Sequence, residues 1–438
     1  MRRTLVGIAA VLGLAMGQQQ VTLFWSGAIT GPTSDAGAPY GAAVEDYCKY
    51  ANERKLVPGV VFNCVVRDDQ YNNANTQRFF EEAVDRFKIP LFLSYATGAN
   101  LQLKALIQEL KIPTIPASMH VELIDPPNNE YFFIPTSTYS EQVVALLEYI
   151  AKEKKGAKVA LVVNPSPFGR APVADARKAA QQLGLQIVDV QEVGSGNLDN
   201  TALLKRFEQA GVEYIIHQNV AGPVANILKD AKRLGLDKKF KQLGAHYTGG
   251  PDLIKLAGDA AEGFLWATSF YMYHEDAPGI RLQKELAQKY GRPQAIAEST
   301  NYTNGMLAAA IAVEAVRRAQ ERFKRVNNET VYQAIIGMNG PMPSSRASPS
   351  PPSRVLRLTS PRASTPGRRA SGSSRPRGAA SCPSPSPSPR PSSARCITVN
   401  SPLSGARDAP GPLFLGHGHP EPHPPGGPRS HSPFGQQH

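Results

Sequence analysis

Residues 60–116 read VVFNCVVRDDQYNNANTQRFFEEAVDRFKIPLFLSYATGANLQLKALIQELKIPTIP, and this stretch decides the fold. It opens on an apolar run, Val60 to Val66, that ends at the polar Arg67-Asp68-Asp69. Phe79, Phe80, Ala83, Val84 and Phe87 then recur at helical spacing, and Pro90 to Leu93 is a second short apolar run. Leu101 to Leu110 repeats the helical pattern, and Pro113 to Pro116 closes the stretch as a third strand. Apolar strands alternating with helices indicate a parallel sheet covered on both faces, because parallel neighbours need a crossover long enough to hold a helix.

Working outward, Val21 to Trp25 is a further strand, ended by Gly27 and followed by the turn pair Gly31-Pro32 and a helix from about 39 to 51. Downstream the pattern restarts. Helix 140–154 carries Val143, Val144, Leu147 and Ile150 on one face and leads to the apolar strand 158–163. Helix 172–183, strand 185–190, helix 201–210, strand 214–217, helix 222–234 and strand 241–243 follow in order. After Gly263-Phe264-Leu265-Trp266 come three more helices, about 279–290, 302–323 and 328–336. Three helices are too few for a third domain, so the chain is expected to cross back and finish its first lobe. The fold class read from this order is α/β, two Rossmann-like lobes with parallel sheets and a disordered C-terminal tail.

The two ends differ from the body. Met1-Arg2-Arg3, an apolar run from Leu5 to Leu14 and Ala15-Met16-Gly17 read as a signal peptide, residues 1–17, cut near Gly17. No cysteine follows the cut, which favours a freely diffusing exported protein over a lipid-anchored one. Residues 342–438 contain 21 Pro, 20 Ser and 12 Arg, no Lys, and only Asp408 and Glu421 as acids. That composition has too little apolar surface to offset the entropy of ordering. The segment's net charge is 12 − 2 = +10 of the whole chain's +12, so the body is near neutral and the basic balance does not argue for a nucleic-acid partner. Such a composition is also what GC-rich coding DNA yields out of frame. Read one base earlier, permitted codons for Ala347 to Asn400 allow an unbroken string of ordinary globular composition. A frameshift near Gly340 is therefore expected, with a natural disordered tail as the alternative.

Four cysteines are present, Cys382 and Cys396 in the tail and Cys48 and Cys64 in the body. In an exported protein the body pair reads either as a disulfide or as two small buried residues. Motifs of phosphate-binding loops, dinucleotide folds, nucleophile elbows and zinc proteases are all missing from the sequence. His120, His217, His246 and His274 have no metal-ligand spacing, and no cofactor or metal is expected.

Several segments together resemble the branched-chain amino-acid-binding proteins of ABC importers. They are Ser26-Gly27-Ala28-Ile29-Thr30-Gly31-Pro32, Leu93-Ser94-Tyr95-Ala96-Thr97, Ile115-Pro116-Ala117-Ser118, Asn164-Pro165-Ser166-Pro167-Phe168-Gly169 and Ala260-Ala261-Glu262-Gly263-Phe264. The likeness covers about residues 20–341. It implies a type I periplasmic binding fold with a multi-strand hinge, lobe 1 over 20–136 plus 267–336 and lobe 2 over 138–266. It also implies a monomeric periplasmic protein that is not an enzyme. A small solute is expected as ligand, with a permease and an ATPase at the inner membrane as partners. A ligand sensor of the same fold is the second functional reading.

Carried over, the resemblance places ligand contacts at Tyr95, Ala96, Thr97, Ala117 and Ser118, with Phe168 as an apolar lid from the second lobe. Helix N-termini at strand ends favour a carboxylate, and a hydrogen bond from Thr97 or Ser118 to a charged group contributes about 1.5–3 kcal/mol. Helix capping for Thr97 and Ser118, and core packing for Phe168, are the structural alternatives. The sequence departs from the family at His246, where amino-acid binders carry an acid for the ligand ammonium. A neutral histidine cannot supply that charge. Either another acid such as Asp35 supplies it, or the ligand is a carboxylate, amide or aromatic acid without an α-ammonium.

Overall fold

A computed structural model describes residues 18–338. The expected signal peptide and the Pro/Ser/Arg-rich segment lie outside the described residues. The first half builds β1 (Gln19–Gly27), α1 (Ser34–Glu53), β2 (Val60–Asp68), α2 (Asn73–Asp85), β3 (Phe92–Ser94), α3 (Thr97–Leu110) and β4 (Thr114–Pro116). These strands form one parallel sheet in the order β2-β1-β3-β4. After the connection Thr136-Ser137-Thr138 come α4 (Tyr139–Glu153), β5 (Lys158–Val163), α5 (Pro167–Arg170), α6 (Val173–Gln182), β6 (Gln186–Glu192) and α7 (Thr201–Ala210). Next are β7 (Tyr214–Gln218), α8 (Ala221–Arg233), β8 (Lys241–Gly244), α9 (Pro251–Ala257) and β9 (Leu265–Trp266). The second sheet is also parallel, ordered β6-β5-β7-β8-β9.

Strand β5 shows why the strands read as unbroken apolar runs. Val159, Leu161 and Val163 enter one core and Ala160 and Val162 the other, so both faces are covered by helices. The chain then returns to the first lobe with α10 (Pro278–Lys289), α11 (Gln294–Ala297), α12 (Thr300–Phe323) and α13 (Asn328–Ile336). Ala308 to Val316 of α12 pack into the same core as Trp25, Tyr40 and Phe92. The sequence shows three of these four helices and not the short α11; without strands of their own they cross back because an amphipathic helix needs an apolar face to cover. Ser137 and Ser269 hydroxyls meet at 3.1 Å where the two connections run side by side.

Helix α1 starts at Ser34, a turn earlier than Pro39 suggests, and holds Pro39 inside. A proline near a helix start forfeits a single backbone bond, and Asp35 in the first turn suits the positive end of the dipole. Helix α3 likewise starts earlier than its apolar pattern, at Thr97, separated from β3 by two residues, where Asn100 accepts from Ser94 Oγ at 2.6 Å and donates to Ala96 O at 2.9 Å. Cys48 of α1 and Cys64 of β2 are disulfide-bonded, with Cα atoms 5.9 Å apart. The bond ties the first helix to the edge strand it packs over.

Candidate functional site

The C-terminal ends of the parallel strands face each other across the cleft between the lobes. This is where open α/β sheets place ligands, since helices start there and point free N–H groups outward. The space there is small and walled by aromatic rings. A narrow cavity is lined from the first lobe by Thr33, Tyr71, Tyr95, Ala96, Thr97 and Ala117. Tyr139, Phe168, Val220 and Tyr247 close it from the other side. Pockets for drug-sized ligands run to about 300–1,000 Å³, and the space left between these side chains is about 20 Å³, so the rings must part somewhat to admit even a small solute.

Its polar pole is built by two strand ends. Helix α3 follows β3 after two residues, and Thr97 is its first residue. Thr97 Oγ1 lies 2.7 Å from Ser118 Oγ, which comes from the end of β4, and both residues are buried. Neither caps a helix through its side chain: α3 has no side-chain cap, and Ser118 bonds to Thr97 across the strands. The Tyr139 hydroxyl faces the same pair; burial pushes its ionisation up, and these two hydroxyls partly oppose that. Thr33 Oγ1 is buried with no hydrogen-bond partner, and Thr33 lines the cavity.

The apolar pole is an aromatic box. Phe168 stands edge-on to Tyr139 at 5.2 Å and to Tyr247 at 5.7 Å between ring centroids. Tyr95 stands edge-on to Tyr71, Tyr40 and Trp25. Tyr95 also donates to Thr33 O at 3.1 Å, which fixes its ring. Phe168, Val220 and Tyr247 belong to the second lobe yet pack into the first lobe's core, so the cleft is closed.

Five polar contacts hold that closure. Asp35 Oδ2 accepts from Gly222 N at 3.0 Å, and Tyr71 OH lies 3.3 Å from Ser166 Oγ. Tyr247 OH donates to Ala117 O at 2.7 Å and accepts from Asn304 Nδ2 at 3.1 Å. Ser299 Oγ donates to Asp252 Oδ2 at 2.6 Å. Burial pushes the Asp35 carboxyl up, against the opposing bonds from Gly222 N and Ala36 N. Burial likewise pushes Asp252 up to about 6, against the bond from Ser299.

Of the residues singled out from sequence, Tyr95, Ala96, Thr97, Ala117 and Phe168 line the cavity, and Ser118 sits one hydrogen bond behind Thr97. His246 is placed differently. Its backbone N–H donates to Gln142 Oε1, its Nδ1 lies 3.2 Å from Thr268 Oγ1, and its ring packs on Tyr247 and Phe270. Burial pushes it down to about 3, so it is neutral packing behind Tyr247, which itself reaches the cavity. The lining residues therefore include no carboxylate. Sequence reasoning missed Thr33, Tyr71, Tyr139, Val220 and Tyr247. Tyr71, Val220 and Tyr247 each follow a strand end, the one signal that could have found them.

The geometry agrees with known proteins. The family model described as "Periplasmic binding protein" matches residues 20–349. The chain belongs to that family. As a periplasmic binding protein it is a solute-binding component of the kind that serves ABC importers. It is 88% identical to the crystal structure of a branched-chain amino acid ABC transporter protein from Thermus thermophilus with bound valine. That match has a TM-score of 0.73 and covers 74% of this chain and 84% of that one. The leucine-, isoleucine-, valine-, threonine- and alanine-binding protein of Pseudomonas aeruginosa is 21% identical over 331 residues, 75% of this chain and 86% of its own. A solute-binding protein from Rhodopseudomonas palustris BisB5, in complex with 3,4-dihydroxybenzoic acid, shares the fold at 21% identity and a TM-score of 0.61. That likeness covers 73% of this chain and 85% of the other.

Proposed function

We propose that this periplasmic binding protein captures valine or a similarly small branched-chain amino acid and hands it unchanged to a membrane permease driven by an ATPase. The observation that carries the reading is the lining of the narrow interlobe cavity, with hydroxyls at one pole and aromatic rings around the rest. The 88% identical protein holds valine in its structure, which agrees with that lining. The ligand carboxylate is assigned to Thr97, oriented by Ser118 behind it, and to the free N–H groups in the first turn of α3, where the dipole favours an anion. The isopropyl group is assigned to the box formed by Phe168, Tyr139 and Tyr247, on the side bounded by Tyr71.

The ammonium has no carboxylate partner in the lining. Neutral groups are assigned to it: the unpartnered Thr33 hydroxyl and the ring faces of the tyrosines, where a desolvated cation gains about 2 kcal/mol. The same neutrality supports a second reading, a small carboxylate without an ammonium. Calorimetric titration with valine, isovalerate and valinamide separates the two. Valine alone binding tightly supports the first; equal binding of isovalerate sinks it in favour of the second. The protein is read as exported with its N-terminal 17 residues removed, and as a monomer, which an intact mass and a sedimentation experiment would check.

A further inference from the structure

Beside the ligand cavity runs a second, larger space. It is an open groove of about 670 Å³, lined by Asn72 and Asn73 at the start of α2, by Gly98, and by Asn164 to Pro167 of the facing lobe. Tyr71 lines both the cavity and the groove, the one residue they share. Around it the wall is a single peptide thick: Thr33, Thr97 and Phe168 face the cavity, while their neighbours Pro32, Gly98 and Pro167 face the groove. Tyr71 is only partly buried, whereas Tyr95, Tyr139 and Tyr247 are buried. That is what a partition with one face on each space requires.

We propose that Tyr71 is the partition that sets the upper size of the ligand, and that the groove behind it is an unused extension of the site. The inference rests on the reading of the cavity as an amino-acid site. The backbone around Tyr71 is built to hold one side chain in place. Gln70 and Tyr71 both have left-handed backbone, φ 57° and 60°, which disfavours two consecutive residues with side chains. Two neighbouring carboxylates offset that cost. Asp68 Oδ1 accepts from Gln70 N, Ile29 N and Thr30 N at 3.0–3.1 Å. Asp69 Oδ1 accepts from Tyr71 N at 2.9 Å, while its Oδ2 accepts from Thr76 and Ser26 hydroxyls. The ring's far end is set against the other lobe by the Ser166 contact, so the wall is complete only when the cleft is closed. Asp69 is thus a positioning residue that acts through Tyr71.

With the ring removed, cavity and groove become one space, open to a ligand whose side chain extends past the present wall. A panel of alanine, valine, leucine, methionine and phenylalanine, titrated calorimetrically into wild type and Tyr71→Ala, tests this. The expected result is a loss of valine affinity by about tenfold or more and a gain for phenylalanine, so that the preference shifts by about a hundredfold. Tyr71→Phe keeps the ring and is expected to keep the size discrimination. Asp69→Asn, which still accepts from Tyr71 N, is expected to discriminate better than Asp69→Ala. An unchanged valine-to-phenylalanine ratio in Tyr71→Ala overturns the proposal. Should wild type bind no amino acid of the panel, the amino-acid reading fails. The partition is then decided by the crystal structure of Tyr71→Ala: one continuous space supports it, and a cavity still closed from the groove refutes it.

Discussion

Lowering the pH from 8 to 5 is expected to tighten valine binding by about tenfold, through Asp252. Its carboxylate sits on the second lobe and meets the Ser299 hydroxyl of the first, so opening the cleft would return it to water and to its ordinary value. The groups that face it are Asp35 and Glu298, which raise its ionisation further, and Lys255, which lowers it. Together with burial they move it from an ordinary 3.8 to about 6. A carboxyl whose value is raised by closure favours the closed form fully below 3.8 and loses that contribution as pH rises through about 6. At pH 8 both forms are ionised and the desolvation cost is at its largest, about 3 kcal/mol from the full difference. At pH 5 the closed form is mostly protonated and the open form is not, so closure takes up a proton and the affinity ratio between the two pH values is about ten. Asp35 is raised as well, which adds in the same direction. Titration calorimetry in buffers of different ionisation enthalpy reads both the affinity and the proton uptake. Asp252→Asn, whose amide oxygen can still accept from Ser299, should remove most of the slope and bind more tightly than wild type at pH 8. Equal affinities at pH 5 and 8 in the wild type, or proton release on binding, would refute the reasoning.

Other outcomes follow from individual contacts. If the proposed carboxylate site is right, Thr97→Ala together with Ser118→Ala should weaken valine binding by about 2–4 kcal/mol, read by calorimetry, while Tm stays within a few degrees, because the two hydroxyls bond only to each other. Removing the disulfide by Cys48→Ser and Cys64→Ser frees a loop of 16 residues' separation and should cost about 3 kcal/mol of stability in denaturant unfolding. Asp46 is fully buried, accepts from Arg292 through both oxygens and from Tyr302, and links α1 to the returning helices. Arg292→Ala should therefore destabilise the first lobe by about 3–5 kcal/mol, with little effect on the second. Tyr247→Phe breaks two bonds across the cleft and should lower ligand affinity by about tenfold with Tm nearly unchanged.

Fold and site were legible to different depths. The alternation from Val60 to Pro116 is carried by neighbouring residues, so it survives reading along a line. Helix starts were less legible: Pro39 looks like a beginning, yet the helix starts at Ser34, because the dipole and Asp35 favour the earlier turn. Within the site, the strand ends at Tyr95 to Thr97 and Ala117 to Ser118 could be named, since a parallel sheet puts its C-terminal edge in the cleft. Phe168 could be named from the loop after β5. Tyr247 could not be chosen over His246, because which of two adjacent aromatic rings faces a cavity depends on the short 3-10 turn His246–Thr248 and on what packs behind it.

By itself, then, the sequence determined the α/β alternation, the two parallel sheets and the strand ends that would border a ligand. Those follow from apolar period and breaker residues, which are local properties of the chain. Tertiary structure decided the cavity. Thr33, Tyr71, Tyr139, Val220 and Tyr247 lie far apart along the chain and meet only because two lobes close on one another. It also decided the charge of the site, since burial makes His246 neutral and keeps Asp35 and Asp252 in the lobe interface rather than in the lining. Desolvation depends on everything packed around a group, and no pattern along the chain records it.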